Sequence, residues 1–177
     1  MGTMLFRSLK EKLQRERSEA EVILENIYLF KDLTRRERKY VEQLAHLRRY
    51  AAQEKIFHQG DPGSGMYIII QGTIGIFQEI PGQEPNLLGK LTKGDFFGEL
   101  ALLDEAPRSA SAVALEKSVL LGFFHADLMK LIQTKPVTGN KILLALAGVL
   151  AVRLRETDER LAEVTRLCKQ NEDEANK

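Results

Sequence analysis

The sequence predicts an α+β domain, with a β-rich centre held between two helical flanks. Three observations carry this. Residues 5–50 are charged and place apolar side chains at helical spacing. From about Glu54 short β-rich runs alternate with glycine turns. From Ala126 the helical pattern returns, and it runs without a proline beyond Pro136. At 177 residues the chain suits one domain with appendages and can bury a core without staples.

Taken in order, Phe6, Leu9 and Leu13 form a first stripe and predict an N-terminal helical extension over 1–25. In IYLFKDLTRRE, Thr34 is the expected N-cap, and Glu37 three residues on completes a capping box. Val41, Leu44, Ala45 and Leu47 place a second helical stripe on YVEQLAHLRRY. The runs EKIFHQ, MYIIIQ, TIGIFQEI, NLLGKLTK, SASAVALE and SVLLGFF read as strands, separated by turns at GDPGSG, QG, PGQEP, KGD and EK. Many short strands with glycine turns argue a sandwich, roll or barrel, whose strand order is not legible. DLMKLIQTK is a helix that ends at Pro136, and KPVTGN is the expected hinge after it. Leu143, Ala147, Leu150, Leu154, Thr157, Leu161, Val164 and Cys168 then alternate by four and three, the a/d seam of a coiled coil.

Composition narrows the function classes. A net charge of +1 gives no bulk attraction for nucleic acid or membranes. The single cysteine, Cys168, forbids an internal disulfide and any cysteine-based metal cluster. His46, His58 and His125 have no carboxylate or cysteine grouping around them, so no metal is expected. No apolar run is expected to span a bilayer, and MGTMLFRSLKEK lacks the apolar core of a secretory signal. These features predict a soluble, cytoplasmic chain. No nucleophile–base arrangement stands out, so catalysis is not expected.

The chemistry concentrates in FFGELALLDEAPRSAS, Phe96–Ser111. Gly98 permits a tight bend and a close ligand approach. The ELALL that follows can make one short helical turn, whose leading N–H groups have no partner within the turn. Arg108 offers a planar cationic fork suited to a phosphate diester. Pro107 holds Ala106 extended and so sets how the arginine enters. Ser109 adds a hydroxyl, and Ala110 is small enough for its N–H to approach an oxygen. Glu99, acceptor-only when ionised, suits a sugar hydroxyl rather than a phosphate. An anion clamp and a hydroxyl acceptor in one loop describe a ribose that carries a phosphate.

This segment resembles the phosphate-binding cassette of cyclic-nucleotide-binding domains, found in protein kinase A regulatory subunits, the bacterial catabolite activator family and cyclic-nucleotide-gated channels. The resemblance extends over roughly residues 26–165. It takes in IYLFKDLTRRE, the hairpin IFHQGDPGSGMYIIIQGTIGIF and RLRETDERL on the last helix. It implies an eight-stranded antiparallel, jelly-roll-like β-roll flanked by N-terminal helices and a long C-terminal helix. The implied organisation is an extension over 1–25, the nucleotide-binding roll over 26–136 and the long helix over 137–177. The resemblance implies that Arg108 pairs with the cyclic phosphate and Glu99 with the ribose 2′-hydroxyl. Gly98, Leu100 and Ala110 match positions of backbone contact, Ser109 matches a phosphate-bonding hydroxyl, and Ala101 and Pro107 complete the cassette.

The implied ligand is cAMP, with cGMP possible, and no other cofactor is expected. Ser109, directly after the arginine, resembles the serine of the cAMP-using catabolite activator family. Aligned through RL and T, Thr157 falls where a hydroxyl reaches the adenine N6 edge, and Asp158 where a dimer partner contributes a polar contact. That family places a winged helix-turn-helix after its long helix. Here residues 169–177 follow the seam, so no DNA-binding domain is expected. The expected function is a sensor, homodimeric through the C-terminal helix, that signals to an unidentified effector by repositioning that helix. The competing reading is a ligand-independent scaffold on the same fold.

Overall fold

A computed structural model of the chain describes residues 19–104 and 106–175. The Phe6, Leu9 and Leu13 stripe lies outside them. Helix α1 (residues 19–26) leads through a 3-10 turn, Tyr28–Phe30, into α2 (Arg35–Leu44). The expected capping box opens α2: the Glu37 N–H donates to Thr34 Oγ1 at 3.3 Å, and Glu37 Oε2 accepts the Thr34 N–H at 2.7 Å.

Eight antiparallel strands follow among the described residues. They are β1 (His46–Tyr50), β2 (Lys55–Phe57), β3 (Gly65–Gln71), β4 (Ile74–Gln78), β5 (Asn86–Leu91), β6 (Phe96–Phe97), β7 (Ser111–Ala114) and β8 (Ser118–Phe124). They form two four-stranded sheets, ordered β1-β8-β3-β6 and β2-β7-β4-β5. Helices α3 (His125–Thr134) and α4 (Pro136–Ala175) close the chain.

The central strands explain their own composition. Along β3, Met66, Ile68 and Ile70 face a core shared with the helices, and Ile69 faces a second core between the sheets. Along β8, Val119, Leu121 and Phe123 take the first side and Leu120 the second. A strand buried on both faces has no reason to alternate with polar residues, so MYIII and SVLL read as continuous apolar runs. Phe30 and Phe123, both fully buried, meet edge to face at 6.4 Å and join the 3-10 turn to the first sheet.

Three sequence expectations are corrected. The helical stripe through Leu47 stops at Leu44. Ala45 turns extended (φ −77°, ψ 155°), and β1 pairs with β8 in the register His46↔Gly122 to Tyr50↔Ser118. Val41, Ala45 and Leu47 still reach one core, because a helix followed by a strand presents the same spacing; pairing with β8 decides between the two. The KPVTGN hinge is helical: α4 begins at Pro136, whose missing N–H costs nothing in a first turn. Only Lys135 separates α3 from α4. Finally, α4 between Pro136 and Cys168 is long and apolar enough to cross a bilayer, with mean hydropathy 1.6 over its most apolar 18 residues. Part of that apolarity belongs to the domain's own core, where Ile142, Ala145 and Leu146 are buried.

The start of α4 is fixed by a carboxylate. Glu37 accepts from Thr138 Oγ1 at 3.0 Å and from Lys141 Nζ at 2.9 and 3.0 Å, in addition to its cap bond. Burial raises the carboxyl's pKa, but the Thr34, Lys141 and Thr138 donors outweigh it and hold the value down at about 2.

Candidate functional site

A cleft of about 580 Å³ opens between the β4–β5 sheet edge, the Phe96–Ala110 segment and one face of α4. Its size falls within the range of roughly 300–1,000 Å³ usual for small-molecule sites.

Its floor is set by Gly98. This residue takes a left-handed φ of +74° as it caps the 3-10 helix Glu99–Leu102, and a Cβ there would lie 2.5 Å from Arg108 Nη1. Glycine is needed for the turn and for the arginine's approach. Arg108 is 8% exposed. Its Nη2 donates to the Gly65 carbonyl at 2.7 Å and its Nη1 to the Gly98 carbonyl at 3.1 Å. The guanidinium lies 4.2 Å over the Phe57 ring. Its Nε is buried and has no hydrogen-bond partner. Burial pushes the Arg108 pKa down from its ordinary value, yet an arginine starts so high that it stays cationic at neutral pH. The main chain fixes the residue as well: Arg108 N–H donates to the Asp61 carbonyl at 2.8 Å, and its own carbonyl accepts the Gly60 N–H at 2.9 Å. Beside it, Pro107 bridges to Pro62.

Glu99 is 1% exposed. Its partner is not Arg108: Glu99 Oε1 accepts from Nη1 of Arg153, which reaches in from α4 with its guanidinium 5.9 Å from the Phe96 ring. The two opposite charges of the cassette are thus held by different partners, Arg108 by backbone carbonyls and Glu99 by the long helix.

Gly98, Glu99, Leu100, Ala101, Pro107, Arg108, Ser109, Ala110 and Thr157 all line this cleft. Asp158 does not; it lies on another face of α4, in a shallow depression with Leu161, Ala162, Thr165 and Arg166. Ser109 is exposed at the rim. The buried hydroxyl is that of Ser111, which donates to Glu79 Oε1 at 2.6 Å and accepts the Gln59 N–H at 2.8 Å. The hydrogen bond from Ser111, foremost, holds the Glu79 carboxyl below its ordinary pKa. Thr157 Oγ1 donates to the Arg153 carbonyl at 2.8 Å.

Sequence reading missed Arg153, Glu156 and Arg160, which also line the cleft. A signal was present, because 153, 156, 157 and 160 share one helical face. The apolar wall of Phe57, Ile76, Leu88 and Leu91 was not legible, since it depends on how three strands are arranged in the sheet, and strand order is not legible in the sequence.

The sequence model of the cyclic nucleotide-binding domain matches residues 47–135. The chain is 41% identical over 111 residues to the cyclic AMP receptor protein of Thermus thermophilus, covering 63% of this chain and 50% of the relative. It is 34% identical over 158 residues to a cAMP-dependent protein kinase regulatory subunit of Mycosarcoma maydis, covering 89% of this chain and 29% of the relative. The chain therefore spans half or less of these curated relatives. Among solved structures, it superposes on the Thermus thermophilus catabolite activator protein with a TM-score of 0.71 and 37% identity, over 78% of this chain and 63% of the other.

Proposed function

The chain belongs to the cyclic nucleotide-binding domain family, and from that premise we propose that it is a cytoplasmic cyclic-nucleotide sensor, with cAMP as its ligand, that signals by repositioning α4. The observation that carries this reading is the meeting of three elements at one cleft: Glu99 and Arg108 line it, and α4 enters it through Arg153 on Glu99.

The residues divide the ligand between them. Arg108 is the partner for the cyclic phosphate, and its unpartnered Nε supports an anion there. Glu99 is the acceptor for the ribose 2′-hydroxyl. Because Arg153 holds the same carboxylate, a ribose at Glu99 changes what holds α4, and this is the step that turns binding into a helix response. The nucleotide shifts the helix only by its differential affinity for the two arrangements. The base lies against Ile76, Leu88 and Leu91. Thr157 already donates its proton to the Arg153 carbonyl, so it is left to accept, which matches the adenine N6 amine. The two relatives named for cAMP favour the same ligand. Ser109 adds a hydroxyl at the phosphate end.

The seam on α4 supports a homodimer. Leu154 and Leu161 are each 62% exposed and Val164 56% exposed, in heptad register. Across such a seam Asp158 would serve the partner's site, consistent with its position off this chain's own cleft. The output is a changed α4 surface read by an effector protein.

Calorimetric titration of cAMP and cGMP into the ligand-stripped chain tests the reading, with hydrogen exchange over residues 136–165 measured alongside. One-site saturable binding, tighter for cAMP, together with altered exchange in α4, is expected. A folded chain that binds neither nucleotide would return the fold to the role of a ligand-independent scaffold.

A further inference from the structure

Two segments meet beneath the cleft: the Ser64–Gly65 corner at the start of β3, and the turn Gly98–Leu102 that carries Glu99. Arg108 ties them together through the Gly65 and Gly98 carbonyls. A second residue ties the same two segments. His125, the first residue of α3, donates its N–H to the Ser64 carbonyl at 2.9 Å, and its Nδ1 lies 2.8 Å from the Leu102 carbonyl. A carbonyl only accepts, so Nδ1 carries the proton.

We propose that His125 is the positioning residue that couples the cleft to α3 and, through it, to α4; the proposal rests on the nucleotide-sensing reading above. The two ties differ in what a ligand does to them. A phosphate at Arg108 competes with the Gly65 and Gly98 carbonyls for guanidinium N–H groups. The His125 tie faces no such competition. When Arg108 turns its donors to an anion, His125 keeps the turn joined to the corner, and any shift of the turn is carried by the Leu102 carbonyl into the first residue of α3. The corner is joined to the strand that leads into His125: Gly65 pairs with Phe124, and a Cβ on it would lie 2.5 Å from the Phe123 carbonyl oxygen. From α3 the only break before α4 is Lys135.

The test is cAMP titration with hydrogen exchange over α4, on the wild-type chain and on H125A, H125N and H125D. Asparagine keeps an N–H donor at similar reach. Aspartate has the same shape, suits the first turn of a helix and offers no donor at neutral pH. The expected result is that H125A and H125D bind cAMP about tenfold more weakly or less and lose the exchange response in α4, while H125N retains it. If H125A does not fold, the isosteric pair H125N and H125D decides the matter alone. A full response in H125D, or its loss in H125N, overturns the role of the His125 donor and leaves nucleotide sensing standing. A wild-type chain that binds no cAMP, or shows no response in α4, overturns the sensor reading and this proposal with it.

Discussion

The two ends of α4 share one helix and one apolar habit, yet they sit in different surroundings. Up to about Gly148 the helix is part of the domain. Thr138 and Lys141 hold Glu37, Ile142 and Leu146 are fully buried, and Gly148 passes so close to Tyr28 that a Cβ would lie 3.1 Å from its hydroxyl oxygen. From residue 151 to Cys168 every residue is exposed. Arg153 on Glu99 ties that distal half to the roll. The proximal half is fixed by core packing and a low-pKa carboxylate, whereas the distal half is held at the candidate ligand site itself. A ligand there acts on the one part of the helix that little else restrains.

The largest effect tests the ligand end. Arg108→Leu should weaken cAMP binding by a hundredfold or more, on the order of 3–5 kcal/mol for removing one partner of a buried charge pair, and should abolish the α4 response. Circular dichroism should report a folded domain, and unchanged affinity in calorimetry would remove the assignment. In the proximal half, Leu146→Ala should cost about 2–5 kcal/mol in urea unfolding. The Glu37 clamp should appear as a pH dependence. Its folded pKa of about 2 lies below the ordinary 4.5, so its contribution is complete above about pH 4.5 and is lost as pH falls from there toward 2. At about 1.4 kcal/mol per unit the upper bound is roughly 3 kcal/mol, and solvent screening of this partly exposed carboxylate brings the effect below it. Glu37→Gln should flatten that limb of the stability curve, and a parallel curve would show that the clamp contributes little. At the base end, Thr157→Ala should cost up to about tenfold in cAMP affinity, and no change would take the base contact away from this residue. The smallest effect lies on the distal half: Leu161→Ala should leave the unfolding energy of a dilute monomer within about 0.5 kcal/mol and lower self-association measured by sedimentation. If Leu146→Ala and Leu161→Ala cost the same, the contrast between the two halves fails.

Much of this was legible in the chain. The Thr34–Glu37 box gave the start of α2, because capping is a local matter of three residues. Glycine turns and apolar runs marked six of the eight strands. The misses have local causes. β6 is two residues long, too short for any period, and β1 was disguised by a spacing that a helix and a strand can share. In the cassette, residue types announced an anion clamp and a hydroxyl acceptor, and the cleft gathers nine of the ten residues chosen.

What the sequence determined by itself is what short stretches of backbone and side-chain chemistry dictate: the helix cap, the glycine turn at Gly98, the run-on apolar strands and the cassette's charge types. Only the tertiary structure decided which partners those charges take. Arg108 finds carbonyls 10 and 43 residues away, and Glu99 finds Arg153 54 residues away. Such pairings depend on how two sheets and a helix pack together, and no local preference encodes them.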